Sequence, residues 1–575
     1  MRARGGERQA ASLLDPSPAI MLAIVSCASL VVLAQVAVLL WLSLFEGSLG
    51  DAQAAYGLDN FREVFGDPFT LAVILDTLVF AAVALAVALA FGIPAAWLVE
   101  RTDLGGKTAL VTAMTVGLLV PSYSSAMGWL FLLHPKVGLV NRWLAASGLH
   151  FDITTLLGMG WVEGLNLAPL AFVMTAAVFR AMDPALEEAA AIAGAGGVRT
   201  WLKVTLRLAW PGILAASIYI FTIGFAAFDV PAIIGFSARV YTFSSYLLAL
   251  LNAHEGLPHY GTAAALSTSV LVMAGLLAIW YGAVQRGARR YAVVTGKAYR
   301  PRLAALGPWR HAAWAYVGVF LVLSKLLPIV VMLWVSLLPY LQLPSGEALS
   351  LVTLRNFRAI DWELVLRGLR NSGALMVMTP TVTLIVSFAF SWIVLRSRLK
   401  GRGLFDFIAF LPHAVPSILF GVGALLLTLF VVDKIVPIYG TIWLLLAVFT
   451  VGRLSYGTRM INSGLIQISR ELDESAEMCG ASTWAVCCSV LYPLLSRTML
   501  YAWLWIALMT YREMTLAVFL TTYDNTTLPM LIWGQWVNGN QGQSAALSLV
   551  MLVGMTPVLA LFWSFAQRRG AASEV

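Results

Sequence analysis

Long apolar runs recur along this chain, and each is long enough to cross a bilayer as a helix. About 20 apolar residues suffice for a helix to span the hydrocarbon core of a membrane. The first run, residues 21–44, is too long for the apolar part of a signal peptide, so it predicts a retained span. Only 11% of the residues are charged, whereas soluble domains carry about a quarter. We therefore predict an all-α polytopic membrane protein.

The runs predict about twelve transmembrane helices, six in each half of the chain. They fall near residues 21–44, 70–99, 108–133, 162–182, 209–235, 262–284, 313–338, 371–395, 404–431, 438–461, 495–521 and 544–566.

Basic residues predict how these spans are oriented. The segment 285–311 holds seven arginines and lysines and no acidic residue. Because loops rich in Lys and Arg stay in the cytoplasm, residues 285–312 are predicted to be a cytoplasmic linker. Six predicted spans precede the linker, which places tail 1–20 on the cytoplasmic side as well. Six more follow it, which places tail 568–575 on that side too. The net charge of +8 is thus attributed to membrane orientation and not to a nucleic-acid partner.

One polar stretch occurs twice, at a constant offset of 286 residues. Residues 183–196 match residues 469–482 without a gap, and both lie between apolar runs. Weaker matches surround them: Trp97 to Arg101 resembles Trp392 to Arg396, and Pro121 parallels Pro412. Both halves are predicted to begin and end in the cytoplasm. We therefore predict two parallel six-helix repeats, residues 21–284 and 313–567.

Each copy of the polar stretch carries the signals of a short capped helix. Asp183 and Ser469 are favourable N-cap residues, and Pro184 suits the first helical position. Gly194 and Gly480 can adopt the left-handed conformation that ends a helix. Acidic residues in the first turn favour the positive end of the helix dipole. Each copy is therefore predicted to be a rigid cytoplasmic helix that presents carboxylates and small residues.

The motif resembles the cytoplasmic signature of ABC importer permeases. It consists of Glu188-Ala189-Ala190 and of Glu474-Ser475-Ala476, each with a glycine six residues after the glutamate. Arg207 replaces the proline that the family has at the position of Pro493, so we expect the two helices not to be equivalent. The resemblance implies a coupling helix that docks on an ATP-binding subunit. The residues implied in coupling are Glu187, Glu188, Ala189, Ala190, Gly194, Asp473, Glu474, Ala476 and Gly480.

Further stretches resemble the fused, twelve-span permeases of the ferric-iron type. They include 295–300 and 306–310 in the linker, 228–235 in the fifth span and 512–517 near the end of the eleventh. The resemblance implies the type I ABC importer permease fold and the bacterial inner membrane. It also implies two ATP-binding subunits and a soluble periplasmic or lipid-anchored solute-binding protein as partners. Ferric iron is the first expectation for the solute, and thiamine, polyamine and 2-aminoethylphosphonate are the alternatives.

Several ionisable residues fall inside predicted spans, where charge is costly and often functional. They could line a path for a cationic solute, or they could form salt bridges between helices. The candidates are Asp229, Glu513, Arg512 and Lys325.

No phosphate-binding loop, catalytic constellation or metal-ligand spacing is discernible, so we expect neither enzymatic activity nor a cofactor. A secondary transporter driven by an ion gradient remains the alternative, although it would not explain two matching cytoplasmic helices.

Overall fold

The computed structural model describes residues 16–47, 55–118, 120–183, 185–252, 259–289 and 303–572. The basic N-terminal tail up to residue 15, linker residues 290–302 and residues 573–575 lie outside this part of the chain. So does Pro184, the expected first residue of one polar helix.

Long helices dominate the described part, and eight of them are long and apolar enough to cross a membrane. The eight are Ser17–Ser43, Pro68–Arg101, Leu156–Ala181, Trp201–Ala238, Trp309–Ser336, Trp362–Leu395, Thr483–Tyr511 and Gln541–Leu561. Two bent helix pairs raise the number to ten if each pair is one span. Two predicted spans correspond to the shorter apolar helix Tyr260–Leu276 and to Ile442–Ile466, so each predicted span has a helical counterpart.

The third and ninth spans are broken, and not continuous as predicted. Lys107–Gly117 and Ser122–Leu133 meet at 91°, and Arg402–His413 meets Ser417–Val432 at 103°. Proline causes both breaks, because it lacks an N–H donor and forces the preceding residue towards an extended backbone. Pro121 and Pro416 are the N-cap residues of the second helix in each pair. The predicted match of Pro121 with Pro412 is therefore wrong, since Pro412 lies inside a helix.

The eleventh span ends earlier than predicted. Its helix stops at Tyr511, and turns and irregular backbone follow over 512–521. The fifth span is interrupted at the matching place, after Ala226, and continues in the π-helical turn Pro231–Gly235. Further π-helical turns are Trp201–Thr205, Val322–Leu326, Thr428–Val432 and Cys487–Leu491.

Short elements connect the long helices. Strands Phe45–Glu46 and Ala55–Tyr56 form an antiparallel pair in which Phe45 lies opposite Tyr56. The short helices are Asp59–Gly66, Leu139–Leu144, Ala145–Ser147, Ala185–Ile192, Gly197–Thr200, Phe243–Leu251, Gly346–Ser350, Arg355–Arg358, Arg470–Met478 and Leu528–Val537.

The helices pack into two compact units that draw on both halves of the sequence. Of the described residues, one unit comprises 16–42, 361–531 and 555–572, and the other comprises those within 43–360 and 532–554. The first span thus packs among second-half helices: a Cβ on Gly423 would lie 2.7 Å from the carbonyl oxygen of Gln35. The seventh span packs among first-half helices: a Cβ on Gly128 would lie 2.6 Å from the Cα of Pro328. The division of the chain into two sequence repeats, residues 21–284 and 313–567, therefore remains a prediction, because each compact unit contains helices from both halves.

Small residues allow the close packing in both units. In the unit that holds residues 43–360, the helices Pro68–Arg101 and Leu156–Ala181 share a core of Ala84, Ala88 and Ala171. In the other unit, the Ser387 hydroxyl donates to the carbonyl of Leu454 across two spans. Such contacts are typical of helix packing in membranes, where shape and hydrogen bonds replace the hydrophobic effect.

Candidate functional site

The first polar helix, Ala185–Ile192, is closed at both ends by its own sequence. The Asp183 carboxylate accepts a hydrogen bond from the N–H of Ala185 at 2.9 Å. At the other end, Gly194 has φ +80°, and the N–H of Ala195 donates to the carbonyl of Ala190 at 3.0 Å. This six-to-one bond around a left-handed glycine is the Schellman ending of a helix.

The second polar helix, Arg470–Met478, repeats this geometry at the same offset. Ser469 accepts from the N–H of Glu471 at 3.3 Å. Gly480 has φ +88°, and the N–H of Ala481 donates to the carbonyl of Ala476 at 3.0 Å. The return segments match as well, since Gly197–Thr200 and Thr483–Val486 each lead into a π-helical turn. The replacement of proline by Arg207 therefore leaves the local backbone unchanged.

Both polar helices expose apolar side chains at matched positions. Ile192 is 88% exposed and Met478 is 87% exposed, and they differ by the repeat offset. Leu186 and Leu472, also a matched pair, are exposed too. Exposed apolar side chains therefore lie at the same two positions in both copies of the polar helix.

The predicted motif residues differ in exposure. Ala189, Glu474, Gly194 and Gly480 are exposed, whereas Glu188, Ala190 and Ala476 are half-buried. Glu187 and Asp473 are also half-buried, and each meets an arginine that the sequence analysis did not select.

Arg101 forms an ion pair with the first polar helix. Its side chain is 4% exposed, and its Nη1 lies 3.4 Å from Glu187 Oε2. Its Nη2 donates to the carbonyl oxygens of Phe179 and Met182, both at 2.7 Å. One guanidinium therefore joins the end of its own span, the end of the fourth span and the polar helix.

Arg396 makes the same set of contacts in the second half. Its Nε lies 3.0 Å from Asp473 Oδ2, and its side chain is 8% exposed. Its Nη2 donates to the carbonyl oxygens of Leu465 and Ile468, which are the repeat counterparts of Phe179 and Met182. Burial raises the pKa of Asp473, and the Arg396 guanidinium opposes that shift. The other oxygen of Asp473 is buried and accepts no hydrogen bond.

The sequence did contain a signal for these two arginines. They end the matched stretches that begin at Trp97 and Trp392. The match indicates a repeat, but nothing in the sequence shows that the two arginines contact Glu187 and Asp473, which lie 86 and 77 residues later.

A threonine makes the two polar helices chemically different. The Thr205 hydroxyl, in the π-helical turn of the return helix, donates to Glu187 Oε1 at 2.5 Å. Leu491 occupies the matching position in the second half and cannot donate. Only the first polar helix is therefore tied to its return helix by this bond.

We expect Thr205→Val to loosen the first polar helix alone. The loss of a hydrogen bond to a charged group costs about 1.5–3 kcal/mol. Hydrogen–deuterium exchange of segment 185–195 should rise, while exchange of 470–481 stays as in the wild type and serves as the internal control. Equal changes in both segments, or none, would contradict this assignment.

Two ionisable residues of the predicted path, Asp229 and Lys325, lie in the unit that holds residues 43–360. Both have polar neighbours. Asp229 accepts a hydrogen bond from the Ser122 hydroxyl at 2.5 Å, next to the break in the third span. Lys325 Nζ donates to Asn166 Oδ1 at 3.2 Å. Glu163, one turn before Asn166, is 5% exposed and was not among the predicted residues.

In the other unit, Glu513 is held by Arg453 of the tenth span. Its Oε2 pairs with Arg453 Nη2, and its Oε1 accepts from the N–H of Leu516 at 3.0 Å. Arg512 is the C-cap residue of the preceding helix. Glu513, just after the end of its helix, thus forms a salt bridge to another helix, which is the alternative to a place on the path.

Among the described residues, no group of three or more His, Cys, Asp or Glu side chains is placed to hold a metal ion.

Comparison with known proteins agrees with this architecture. Residues 382–570 match the family described as "binding-protein-dependent transport system inner membrane component". The matched segment contains the second polar helix and its return span.

Curated relatives carry the likeness into the first half of the chain. A putative ferric transport system permease, FbpB 1 of Haemophilus influenzae, is 22% identical over 76% of this chain and 67% of its own length. FbpB 2 of the same organism, an Fe(3+)-transport system permease, is 21% identical over 83% of this chain and 87% of its own length. The sn-glycerol-3-phosphate permease UgpA of Yersinia enterocolitica is 27% identical over 40% of this chain and 81% of its own length.

The family match and these relatives support one class of protein, the binding-protein-dependent ABC permease. The class predicted from the polar-helix motif is confirmed. With its apolar helices, the chain is a multi-pass inner-membrane transport protein.

Proposed function

We propose that this chain is the membrane subunit of an ATP-driven importer, in which the two polar helices are the coupling helices. The observation that carries the proposal is the duplication of these helices. Both copies have caps at equivalent positions and exposed apolar side chains at equivalent positions, and the copies are 286 residues apart. Closure of two ATP-binding subunits would push on these helices, and the spans that follow would carry the movement into the membrane. On this proposal the polar helices, both chain termini and the linker face the cytoplasm.

The proposed cargo is ferric iron, delivered by a soluble or lipid-anchored binding protein outside the membrane. The support is that relatives covering most of this chain are described as ferric permeases. A sn-glycerol-3-phosphate permease also matches, so the cargo has to be tested separately from the class.

Purification of the full chain from its native membrane in mild detergent tests the coupling proposal. We expect an ATP-binding protein to co-purify at two copies per chain, and its ATPase activity to rise with a loaded binding protein. Uptake that follows an ion gradient, with no ATP-binding subunit in the complex, would contradict the proposal and favour a secondary transporter.

The cargo is tested on the partner binding protein. We expect that protein to retain ferric iron through purification, and proteoliposomes with the full complex to take up radiolabelled ferric iron only with ATP inside. Retention of an organic cation or a phosphonate instead would overturn the iron assignment and leave the coupling proposal intact.

A further inference from the structure

Two arginines occupy places where three helices meet. Arg101 is the last residue of the helix Pro68–Arg101, and Arg396 is the C-cap of the helix Trp362–Leu395. Each also contacts the end of another span and an acidic residue in the first turn of a polar helix, Glu187 or Asp473. Neither arginine belongs to the polar-helix motif itself.

The carbonyl contacts explain why the side chain is arginine. The last carbonyl groups of a helix lack partners within it, and a cation there is favoured by the helix dipole. Both arginines donate to carbonyl oxygens at such a helix end, at Phe179 and Met182 and at Leu465 and Ile468. The carbonyls of Phe179 and Leu465 also accept a backbone N–H, from Met182 and Ile468. A guanidinium has five donors in one plane, so it can bind two carbonyls and still pair with a carboxylate. A lysine ammonium cannot match this geometry.

The carboxylate contact adds a tie to the polar helix. Glu187 and Asp473 point back to the arginines, whereas the outer faces with Ile192 and Met478 stay exposed. In the second half, Arg470 of the polar helix also donates to the carbonyl oxygen of Leu395. The inner face of each helix is thus bonded to span ends while its outer face is available for a partner.

We propose that Arg101 and Arg396 are positioning residues that fix each polar helix to the ends of two spans, so that movement of the helix reaches both spans together. The inference rests on the proposed coupling function and adds the element that transmits the movement. Without the arginine, the polar helix would still fold through its caps, but its displacement would be absorbed by the loop that joins it to the fourth or tenth span.

Asp473→Asn tests the tie without disturbing the carbonyl contacts of Arg396. The matched control is Asp406→Asn, because Asp406 forms a 3.2 Å ion pair with Arg459 in the same unit but away from the polar helix. In the full chain in lipid nanodiscs, we expect hydrogen–deuterium exchange of residues 470–481 to rise about tenfold in Asp473→Asn, because the charge that pairs with the buried Arg396 guanidinium is lost. The control should leave that segment unchanged. Unchanged exchange in Asp473→Asn would overturn the proposal.

The complex with its ATP-binding subunits supplies the second readout. We expect Arg396→Gln to retain the subunits and to hydrolyse ATP, but to transport about tenfold less solute per ATP, with partial recovery in Arg396→Lys. A purely structural role predicts equal losses of ATPase activity and transport, and that result would overturn the proposal. Failure of the coupling function itself is distinguishable, because then the wild-type chain would hold no ATP-binding subunit.

Discussion

Replacement of both Gly194 and Gly480 by valine is expected to separate this chain from its ATP-binding subunits. Both glycines have a positive φ, +80° and +88°, where a Cβ costs about 1–2 kcal/mol and a β-branched residue fits worst. Nothing lies within 4 Å of a Cβ built at either position, so the cost is backbone strain and not a clash. The strained ends should unwind and displace Ile192 and Met478, which form the exposed surface.

Co-purification of the ATP-binding subunits and ATP-dependent uptake are the measurements. We expect both to fall to background in the double valine variant and to be partly kept in the double asparagine variant, because asparagine tolerates positive φ. Gly197→Val is the matched control: this glycine also has open space around it and lies outside the left-handed region, and Thr483 holds its repeat position. Intact complexes in the double valine variant would count against a coupling role for the polar helices.

The polar helices could be predicted from sequence because their determinants are local. Asp183, Ser469 and the two glycines each act within a few residues, so cap positions can be recognised without tertiary information. The repeat offset added a second, independent copy of the same signal. The coupling role of these residues stays a prediction, as does the path hypothesis for Lys325 and Arg512.

Three features were not predicted, and the arginine contacts among them depend on distant parts of the chain. The breaks at Pro121 and Pro416 lie inside continuous apolar runs, and hydropathy alone does not show where a span bends. The arginine contacts need the ends of three helices to converge, which no local pattern encodes. The helix of the eleventh span stops at Tyr511 although apolar residues follow, and Glu513 after this end pairs with Arg453 of another span.

Glu513→Gln is expected to destabilise the protein far more than Asp229→Asn, although both acids lie just after matching helix interruptions. Arg453 and Glu513 are mostly buried, with 20% and 11% of their side chains exposed. Loss of one partner leaves the other charge buried and unpaired, which costs about 3–5 kcal/mol. At Asp229, an asparagine oxygen can still accept from the Ser122 hydroxyl, so the cost should be about 1 kcal/mol.

The yield of monodisperse protein, its thermal unfolding and its uptake per folded molecule separate stability from transport. We expect Glu513→Gln to lose yield and thermal stability, and the paired change Arg453→Gln with Glu513→Gln to recover much of both, because no unpaired charge then remains. Asp229→Asn should fold normally, and a lower uptake per molecule would then place Asp229 on the path of a cationic solute. If Glu513→Gln instead folded as well as the wild type but lost uptake, Glu513 would act in transport and its ion pair would not be primarily structural. The two acids thus give different expectations, because Glu513 neutralises a mostly buried arginine and Asp229 accepts a hydrogen bond that an asparagine can keep.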